Sequence, residues 1–237
     1  PVAEADLTTF NALGDPGNVQ VVDEDGPTLT IDVLANDTDV DGEDNPSNFS
    51  LDSVGANSVT GLSDAVTIDP SSFDIVGNQL TFTPGDEFDA LDDGETAVVT
   101  VSYTMSDDSG ESATSTASIP VTGTNDAPTV SAIAAPPSTE DETVSIDLLD
   151  GQTDPDDDLT VGNIVVTSNV MPARSFVEGE DYTVTDGVLT FAAGTFNDLN
   201  ESASEIVTVN YEISDGTVTS PNTAIKTVTG VNDAPVA

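Results

Sequence analysis

Apolar and polar residues alternate along much of the chain, and this alternation predicts β-strands. The segments VTVSYTM, residues 99–105, and VTVNYEI, residues 207–213, each place an apolar or aromatic residue at every second position. Residues i and i+2 of a strand lie on the same face of a sheet, so each segment has one face suited to a core. The segment TLTIDVL, residues 28–34, alternates in the same way. No segment sustains the 3.6-residue period of an amphipathic helix, so the pattern predicts an all-β protein.

The strand patterns occur twice at a constant separation. VTVSYTM and VTVNYEI are 207 − 99 = 108 residues apart, and the motif LTF at residues 80–82 returns at residues 189–191. Each LTF follows a two-residue hairpin signal, Gly77-Asn78 in the first half and Asp186-Gly187 in the second. Turn residues arrive about every 8–12 residues, which is typical of a sandwich of about seven strands. The sequence therefore predicts two tandem β-sandwiches, residues 1–126 and 127–237.

A seven-residue phrase marks the end of each repeat. TGTNDAP occupies residues 122–128 and TGVNDAP residues 229–235, with the two asparagines 232 − 125 = 107 residues apart. This spacing is about the length of one small sandwich domain, and proline holds the residue before it in an extended conformation. We expect residues 122–128 to link the two domains. The chain also begins and ends with PVA, which suggests a section of a longer array.

Acidic segments recur at matching positions of the two halves. VDED at residues 22–25 and STED at residues 138–141 precede a strand, while DTDVDG at 37–42 and QTDPD at 152–156 follow it. Farther on, FDALDDGE at 88–95 matches FNDLNE at 196–201, and a Ser-Asp pair lies at 106–107 and at 214–215. Calcium binds about six to eight oxygen ligands, and the two carboxylates of a DxD sequence lie on one side of an extended chain. These segments are candidate calcium-binding loops.

The charge balance is extreme and excludes several partners. The chain has 45 acidic and 2 basic residues, a net charge of −43, and its basic residues are Arg174 and Lys226. Repulsion among the carboxylates opposes a compact state unless cations bind. Nucleic acids and anionic membranes are disfavoured because both require clustered Lys and Arg. The sequence contains no cysteine, no apolar run of 18 residues and no recognisable signal peptide, so disulfides and direct membrane insertion are not expected.

The order of the acidic motifs resembles that of the cadherin repeat. It comprises a glutamate before the second strand, a DxD after it, a Leu-Asp-rich segment, an aspartate after a later strand and Asn-Asp-x-Pro at the end. The chain is more similar to the bacterial relatives of that repeat, the VCBS-type and cadherin-like or Ig-like repeats of giant RTX adhesins exported by type I secretion. DVLANDTDVDG, FDALDDGE, VSYTMSDDSG and VTGTNDAP carry this resemblance. It implies two tandem Ig-like or cadherin-like Greek-key sandwiches of about seven strands each, joined end to end.

In that family the corresponding positions bind calcium at the junctions between domains. The resemblance implies several Ca²⁺ ions, and for the central joint it implies ligands from both repeats and the linker: Glu24, one or more of Asp92, Asp93 and Glu95, then Asn125, Asp126, Asp154, Asp156 and Asp215. For the free end of repeat 1 it implies Asp39, Asp41 and Asp107. For the free end of repeat 2 it implies Glu140, Glu201, Asn232 and Asp233, with Glu205 as a further candidate.

The function implied by the resemblance is that of a spacer. A calcium-rigidified extender would project the distal ligand-binding domains of a long adhesin from the surface of a Gram-negative bacterium, marine or saline in habitat, for adhesion or biofilm formation. Its expected partners are neighbouring repeats of the same chain, and the isolated pair is expected to be monomeric. The alternative is a repeat that itself binds a glycan or a partner cell surface, for which residues 11–20 and 171–180 are the unusual segments.

Other interpretations of the acidic residues remain open or fail on particular residues. Acidic loops also fit a plain solvated surface, and the bulk acidity fits a saline habitat. An EF-hand loop beginning at Asp37 fails because its twelfth position is Asn48 rather than glutamate, and no helices flank it. Catalysis is not expected. The chain has no histidine or cysteine for a nucleophile–base pair, and 0 Trp and 3 Tyr give no aromatic cleft for a carboxylate glycosidase. Tyr103 and Tyr211 fall in phase with the core positions, which favours a buried role over sugar stacking.

Overall fold

The computed structural model describes residues 1–3, 6–7, 21–40, 46–62, 66, 68–170 and 174–233. The chain forms two compact units, Pro1–Asn125 (unit 1) and Asp126–Ala237 (unit 2). Across the described ranges there is no α-helix, and the one helical element is a 3₁₀ turn at Pro70–Ser72. A search of the same ranges finds no helix long and apolar enough to cross a membrane. The all-β class that the alternating pattern predicts is confirmed.

Unit 1 is built from two sheets. Over its described residues the strands are β1 (Asp6–Leu7), β2 (Val22–Asp23), β3 (Leu29–Ile31), β4 (Ser50–Thr60), β5 (Phe73–Val76), β6 (Gln79–Phe82), β7 (Thr96–Ser106) and β8 (Ser112–Thr122). The larger sheet has the order β1-β8-β7-β4, with β2 also paired to β8, and the smaller has the order β3-β6-β5. Because β1 and β2 both run parallel to β8, they act as two parts of one first strand, which leaves about seven strands in the sandwich.

Unit 2 repeats this architecture. Its strands are β9 (Ile133–Ala134), β10 (Ser138–Thr139), β11 (Ser145–Asp147), β12 (Thr160–Ser168), β13 (Tyr182–Thr185), β14 (Val188–Phe191), β15 (Ser204–Ser214) and β16 (Thr219–Thr229). The larger sheet has the order β10-β16-β15-β12, with β9 also paired to β16, and the smaller has the order β11-β14-β13. The first strand is again divided, into β9 and β10, and both parts run parallel to β16.

The core positions predicted from the alternation are buried in both units. None of these side chains on β7 and β15 is more than 3% exposed: Val99, Val101, Tyr103, Met105, Val207, Val209, Tyr211 and Ile213. Each tyrosine hydroxyl donates a hydrogen bond to a backbone carbonyl just after the first strand of the smaller sheet. Tyr103 donates to Val33 at 3.2 Å, and Tyr211 donates to Leu148 at 2.8 Å. Both tyrosines therefore belong to the core, as their register predicts, and cannot serve as sugar-stacking surfaces.

The two predicted hairpins are present. Gly77-Asn78 joins β5 to β6, and Asp186-Gly187 joins β13 to β14. All four residues have positive φ angles, between 49° and 77°. A two-residue turn of this kind requires the left-handed region at both positions, which glycine, asparagine and aspartate tolerate best.

The TLTIDVL segment forms a shorter strand than its alternation predicts. β3 ends at Ile31, and the chain then turns, with the N–H of Asp37 donating to the carbonyl of Leu34 at 3.2 Å. Val33 and Leu34 are nonetheless fully buried. The alternation thus predicts the buried residues correctly as far as Leu34. The β-strand itself ends three residues earlier, at Ile31, because the following residues form a turn.

Candidate cation-binding ends of the two units

A buried glutamate holds the start of the linker phrase in each unit. Glu24 is 5% exposed, and its Oε1 accepts hydrogen bonds from the N–H of Thr124 at 2.7 Å and from the Thr124 hydroxyl at 3.4 Å. Unit 2 repeats the contact, since Glu140 is 6% exposed and its Oε1 accepts from the N–H of Val231 at 2.8 Å. Hydrogen bonds to an ionised acceptor are short and strong. Each glutamate therefore fixes the backbone directly before the Asn-Asp of its phrase.

The glycine of each phrase is required by a close approach of two backbones. A Cβ added at Gly123 would overlap the carbonyl oxygen of Asp92, and one added at Gly230 would overlap that of Asn200. The N–H of Gly123 also donates to the carbonyl of Glu95 at 2.9 Å. Only glycine leaves room for this contact. The recurrence of the phrase in the sequence thus has a local cause, because the strand end and the acidic loop must touch.

In each unit one residue pairs with the DxD loop directly after a proline, Thr129 after Pro128 in unit 2 and Val2 after Pro1 in unit 1. Thr129 and Thr153 exchange two backbone hydrogen bonds of 2.9 and 3.3 Å in unit 2. Val2 and Thr38 do the same in unit 1, at 2.7 and 3.2 Å. These threonines are not among the predicted ligands. Their signal was present, since Thr is the residue shared by DTD at 37–39 and QTD at 152–154.

Asp154 and Asp156 form a close carboxylate pair beside Asp126 in unit 2. The Oδ1 of Asp154 accepts from the N–H groups of Asp156 and Asp157 at 3.3 and 3.1 Å, and the Oδ2 of Asp156 accepts from the N–H of Asp126 at 3.4 Å. Burial, reinforced by the Asp154 carboxylate, raises the pKa of Asp156 to about 6. The structure therefore places the carboxylates of Asp154 and Asp156 together, with the backbone of Asp126 beside them.

The aspartates after β7 and β15 each use one oxygen to close a turn. The Oδ1 of Asp107 accepts from both the N–H and the hydroxyl of Ser109 at 2.8 Å, and these bonds hold the pKa of Asp107 below its usual range. The Oδ1 of Asp215 accepts from the N–H groups of Thr217 and Val218, both at 2.6 Å. These two predicted ligands are thus held in fixed orientations by their own loops.

The remaining predicted ligands lie mainly at the surface. The Oδ2 of Asp39 is 2.6 Å from the nitrogen of Pro1, and Asn125 is half-buried. Asp41 falls outside the described residues. The following are exposed: Asp92, Asp93, Glu95, Glu201, Asn232 and Asp233. Within the described ranges, no group of three or more acidic side chains is placed to hold a metal ion by itself.

The donor chemistry of these ends fits a hard cation. Several predicted ligands of unit 2 each bury one carboxylate oxygen that has no hydrogen-bond partner among the described residues: Oε2 of Glu140, Oδ2 of Asp154 and Oδ1 of Asp156. Burying an unsatisfied polar group is unfavourable by about 1–3 kcal/mol, and more when the group is charged. Carboxylate and carbonyl oxygens are the ligands that calcium prefers. These residues are therefore suited to calcium, with further oxygens needed to complete its coordination.

Comparison with known proteins identifies the family. A family model described as a bacterial Ig domain matches residues 2–120, about half of the chain. The chain belongs to the bacterial Ig domain family. Bacterial Ig domains are typically extracellular or surface-exposed, and their fold indicates a structural rather than a catalytic domain. Membership is consistent with an extender or adhesion module.

Solved structures that resemble the chain are distant. Human CDH23 EC21-23 is 15% identical, with 89% of this chain and 71% of that chain covered and a TM-score of 0.47. The insect immune protein hemolin is 16% identical with a TM-score of 0.35, and the match covers 73% of this chain but only 39% of hemolin. An endo-fucoidan hydrolase of glycoside hydrolase family 107 is 17% identical, covering 74% and 24% of the two chains, with a TM-score of 0.29. Likenesses at this level bear on neither activity nor partners. A search of curated proteins found no match.

Unit 2 also contains an ionic cluster that the repeated motifs did not predict. Arg174 lies 2.6 Å from Asp198 and 3.6 Å from Glu205, with its guanidinium 5.7 Å from the centre of the Phe196 ring. Glu205 is completely buried, and strand register makes Ala97 its counterpart in unit 1. The sequence carried one signal for this cluster, because Glu205 falls in phase with the buried valines of β15. The cadherin-like resemblance implies Glu205 only as a further candidate calcium ligand.

Proposed function

We propose that the chain is a non-catalytic, calcium-rigidified extender of a long bacterial surface adhesin. It would hold distal ligand-binding domains away from the cell for adhesion or biofilm formation. The parent would be an RTX adhesin exported by type I secretion from a Gram-negative bacterium of marine or saline habitat. Membership of the bacterial Ig family, the order of the acidic motifs and the net charge of −43 support this proposal.

The observation that carries the calcium part is the set of buried carboxylate oxygens without partners. Glu140, Asp154 and Asp156 each bury one such oxygen, and each lies in a loop that also contacts an NDAP phrase or its continuation. An unpaired buried carboxylate is strongly unfavourable, whereas a bound cation compensates it. Calcium binding would thus explain why these three acidic residues are buried in loops that contact the NDAP phrases.

The stiffening part follows from how the linker is attached. Glu24 holds Thr124 within unit 1, and Thr153 holds Thr129 within unit 2, so that residues 125–128 remain between two fixed points. Calcium ions that take ligands from Asn125 and Asp126 together with either unit would restrict rotation about those residues. A stiff array transmits reach, whereas a flexible one folds back toward the cell.

Thermal unfolding with and without calcium tests the proposal. A ligand that binds only the folded state at 100 times its Kd stabilises that state by about 2.7 kcal/mol. We expect the Tm at constant ionic strength to be many degrees higher in millimolar calcium than in EDTA. The double variant D154N/D156N should lose part of that increase, while D52N/D74N, with the same charge change at two exposed positions on β4 and β5, should keep it. Equal melting temperatures in calcium and in EDTA would disprove a calcium role.

A further inference from the structure

We infer that unit 2 contains a binding groove for an extended peptide that combines apolar and basic side chains. A groove of about 640 Å³ lies along β12, the last strand of the larger sheet, and the turn that follows β13, the last strand of the smaller sheet. Its floor is formed by partly buried aliphatic side chains: Leu149, Leu159, Val161, Ile164 and Val184. This inference is independent of calcium binding, since it involves none of the proposed ligands.

Unit 1 closes the corresponding gap with one asparagine. Asn78, in the β5–β6 hairpin, accepts a hydrogen bond from the N–H of Leu51 at 2.7 Å and donates one to the carbonyl of Phe49 at 2.9 Å. The side-chain amide thereby joins the hairpin of the smaller sheet to the beginning of β4. Leu34, Phe49 and Leu51 are 1%, 2% and 6% exposed. The edge of the unit 1 sandwich is therefore sealed at this point.

Unit 2 has neither the asparagine nor the phenylalanine that close this edge in unit 1. Its hairpin has Gly187 where unit 1 has Asn78, and strand register places Leu159 at the position of Phe49. Glycine has no amide to join the two sheets, and leucine is smaller than phenylalanine. The side chain of Leu149 lies against Gly187, where an added Cβ would come 2.7 Å from its Cδ1, and both Leu149 and Leu159 are half-buried. The groove thus results from two specific replacements within one fold, and unit 1 serves as an internal reference for the closed form.

The charge around the groove indicates what kind of partner fits it. Asp158, Glu178 and Asp186 line its rim and are exposed, and no basic residue lines it. An apolar floor inside an acidic rim is complementary to apolar side chains accompanied by lysine or arginine. A purely anionic or purely polar ligand would be rejected by the rim or would gain nothing from the floor.

The strands beside the groove favour an extended main chain. An edge strand presents unpaired backbone groups to which another strand can be added, and alternate side chains of the added strand then enter pockets. β12 is interrupted by a bulge between Gly162 and Val165, where Asn163 has a φ of 49°. Main-chain pairing is therefore expected only before the bulge, with burial of apolar side chains supplying the remaining affinity.

The test uses the whole chain and a fluorescein-labelled hexapeptide of alternating lysine and valine, at 0.3 M salt to suppress non-specific attraction. We expect saturable binding by fluorescence anisotropy, together with NMR shifts confined to amides around Val161 and Gly187. The variant D186G/G187N gives unit 2 the Gly-Asn turn of unit 1 and should weaken binding at least tenfold. An unchanged Tm for this variant would show that the loss does not come from unfolding.

Charge-matched variants and peptides complete the experiment. D158N/E178Q should weaken binding several-fold, whereas D108N/D141N, which removes two exposed carboxylates elsewhere, should not. A lysine–serine hexapeptide should bind at least tenfold more weakly than the lysine–valine peptide, and a glutamate–valine peptide should not bind. The proposal is overturned if the closed D186G/G187N variant binds within twofold of the natural protein, or if the lysine–serine peptide binds equally well.

Discussion

At the scale of single residues, Arg174 compensates the most deeply buried charge of unit 2. Glu205 is 0% exposed, and neither of its carboxylate oxygens has a hydrogen-bond partner among the described residues, so the guanidinium 3.6 Å away is its main compensation. Arg174 also pairs with Asp198, which is largely exposed. Because an exposed pair contributes little, the importance of Arg174 rests mainly on Glu205.

We expect Arg174→Gln to destabilise unit 2 by about 3 kcal/mol at pH 7, since it leaves Glu205 buried and unpaired. Adding Glu205→Ala, which installs the residue found at Ala97 of unit 1, should recover part of this loss.

Hydrogen bonds from Arg174 hold the pKa of Asp198 below its usual range, so their stabilisation is present above about pH 4 and is lost as the pH falls through the lowered pKa. The part of the deficit that comes from Asp198 should therefore disappear toward pH 3. Urea unfolding at the two pH values measures this, and a double variant no more stable than the single one would contradict the assignment.

At the scale of elements, the hydroxyl of Tyr211 connects three parts of unit 2. It donates to the carbonyl of Leu148 at 2.8 Å and accepts from the side-chain amide of Asn222 at 3.0 Å. β15, β16 and the turn after β11 are thereby joined across the sandwich. Burial raises the pKa of Tyr211 to about 12.

Tyr211→Phe should destabilise unit 2 by about 1–2 kcal/mol, because it leaves a buried carbonyl without its donor. Between about pH 10 and 12 an unfolded tyrosine ionises while folded Tyr211 remains protonated, so this group makes the folded state less stable as the pH rises through that window. The alkaline loss should be smaller in Tyr211→Phe than in the natural protein. Absorbance at 295 nm and urea unfolding from pH 9 to 11.5 provide the readouts. A phenolate signal that is complete at pH 10.5 would contradict the raised pKa.

At the scale of the whole molecule, the proposed function depends on the joint at residues 125–128. Without cations the carboxylates near it would repel one another, and the short linker would act as a hinge. With calcium, the same oxygens would share ions and resist bending. The stiffness of the pair is therefore expected to depend on bound cations.

Small-angle X-ray scattering should show a larger maximum dimension and a narrower distribution of interdomain distances in calcium than in EDTA. Asp126→Ala, and separately D154A/D156A, should give the EDTA profile even in calcium, while circular dichroism shows both units folded. D52N/D74N should behave like the natural protein. Identical scattering curves in calcium, in EDTA and in these variants would mean that NDAP is an ordinary linker.

The fold was predictable from the sequence because its signals are local. Alternation over seven residues is sufficient to mark β7 and β15 and their core faces, and the two-residue hairpin turns are identified by residues that accept positive φ. Repetition of these signals after 108 residues shows that one architecture occurs twice. Glu24 and Glu140 each contact the backbone of the phrase, whereas their role as calcium ligands stays a prediction.

Only the tertiary structure decided the features that depend on residues far apart in the chain. The early end of β3 depends on a turn hydrogen bond that competes with the ladder. The pairing of Arg174 with Glu205 joins positions 31 residues apart, 205 − 174, and no local pattern encodes it. The groove depends on Gly187 and Leu159, which different sheets bring to one cavity, and each residue alone is unremarkable in its own segment. Local periodicity determines which residues face inward, whereas packing between sheets determines which gaps are closed and which buried charges are compensated.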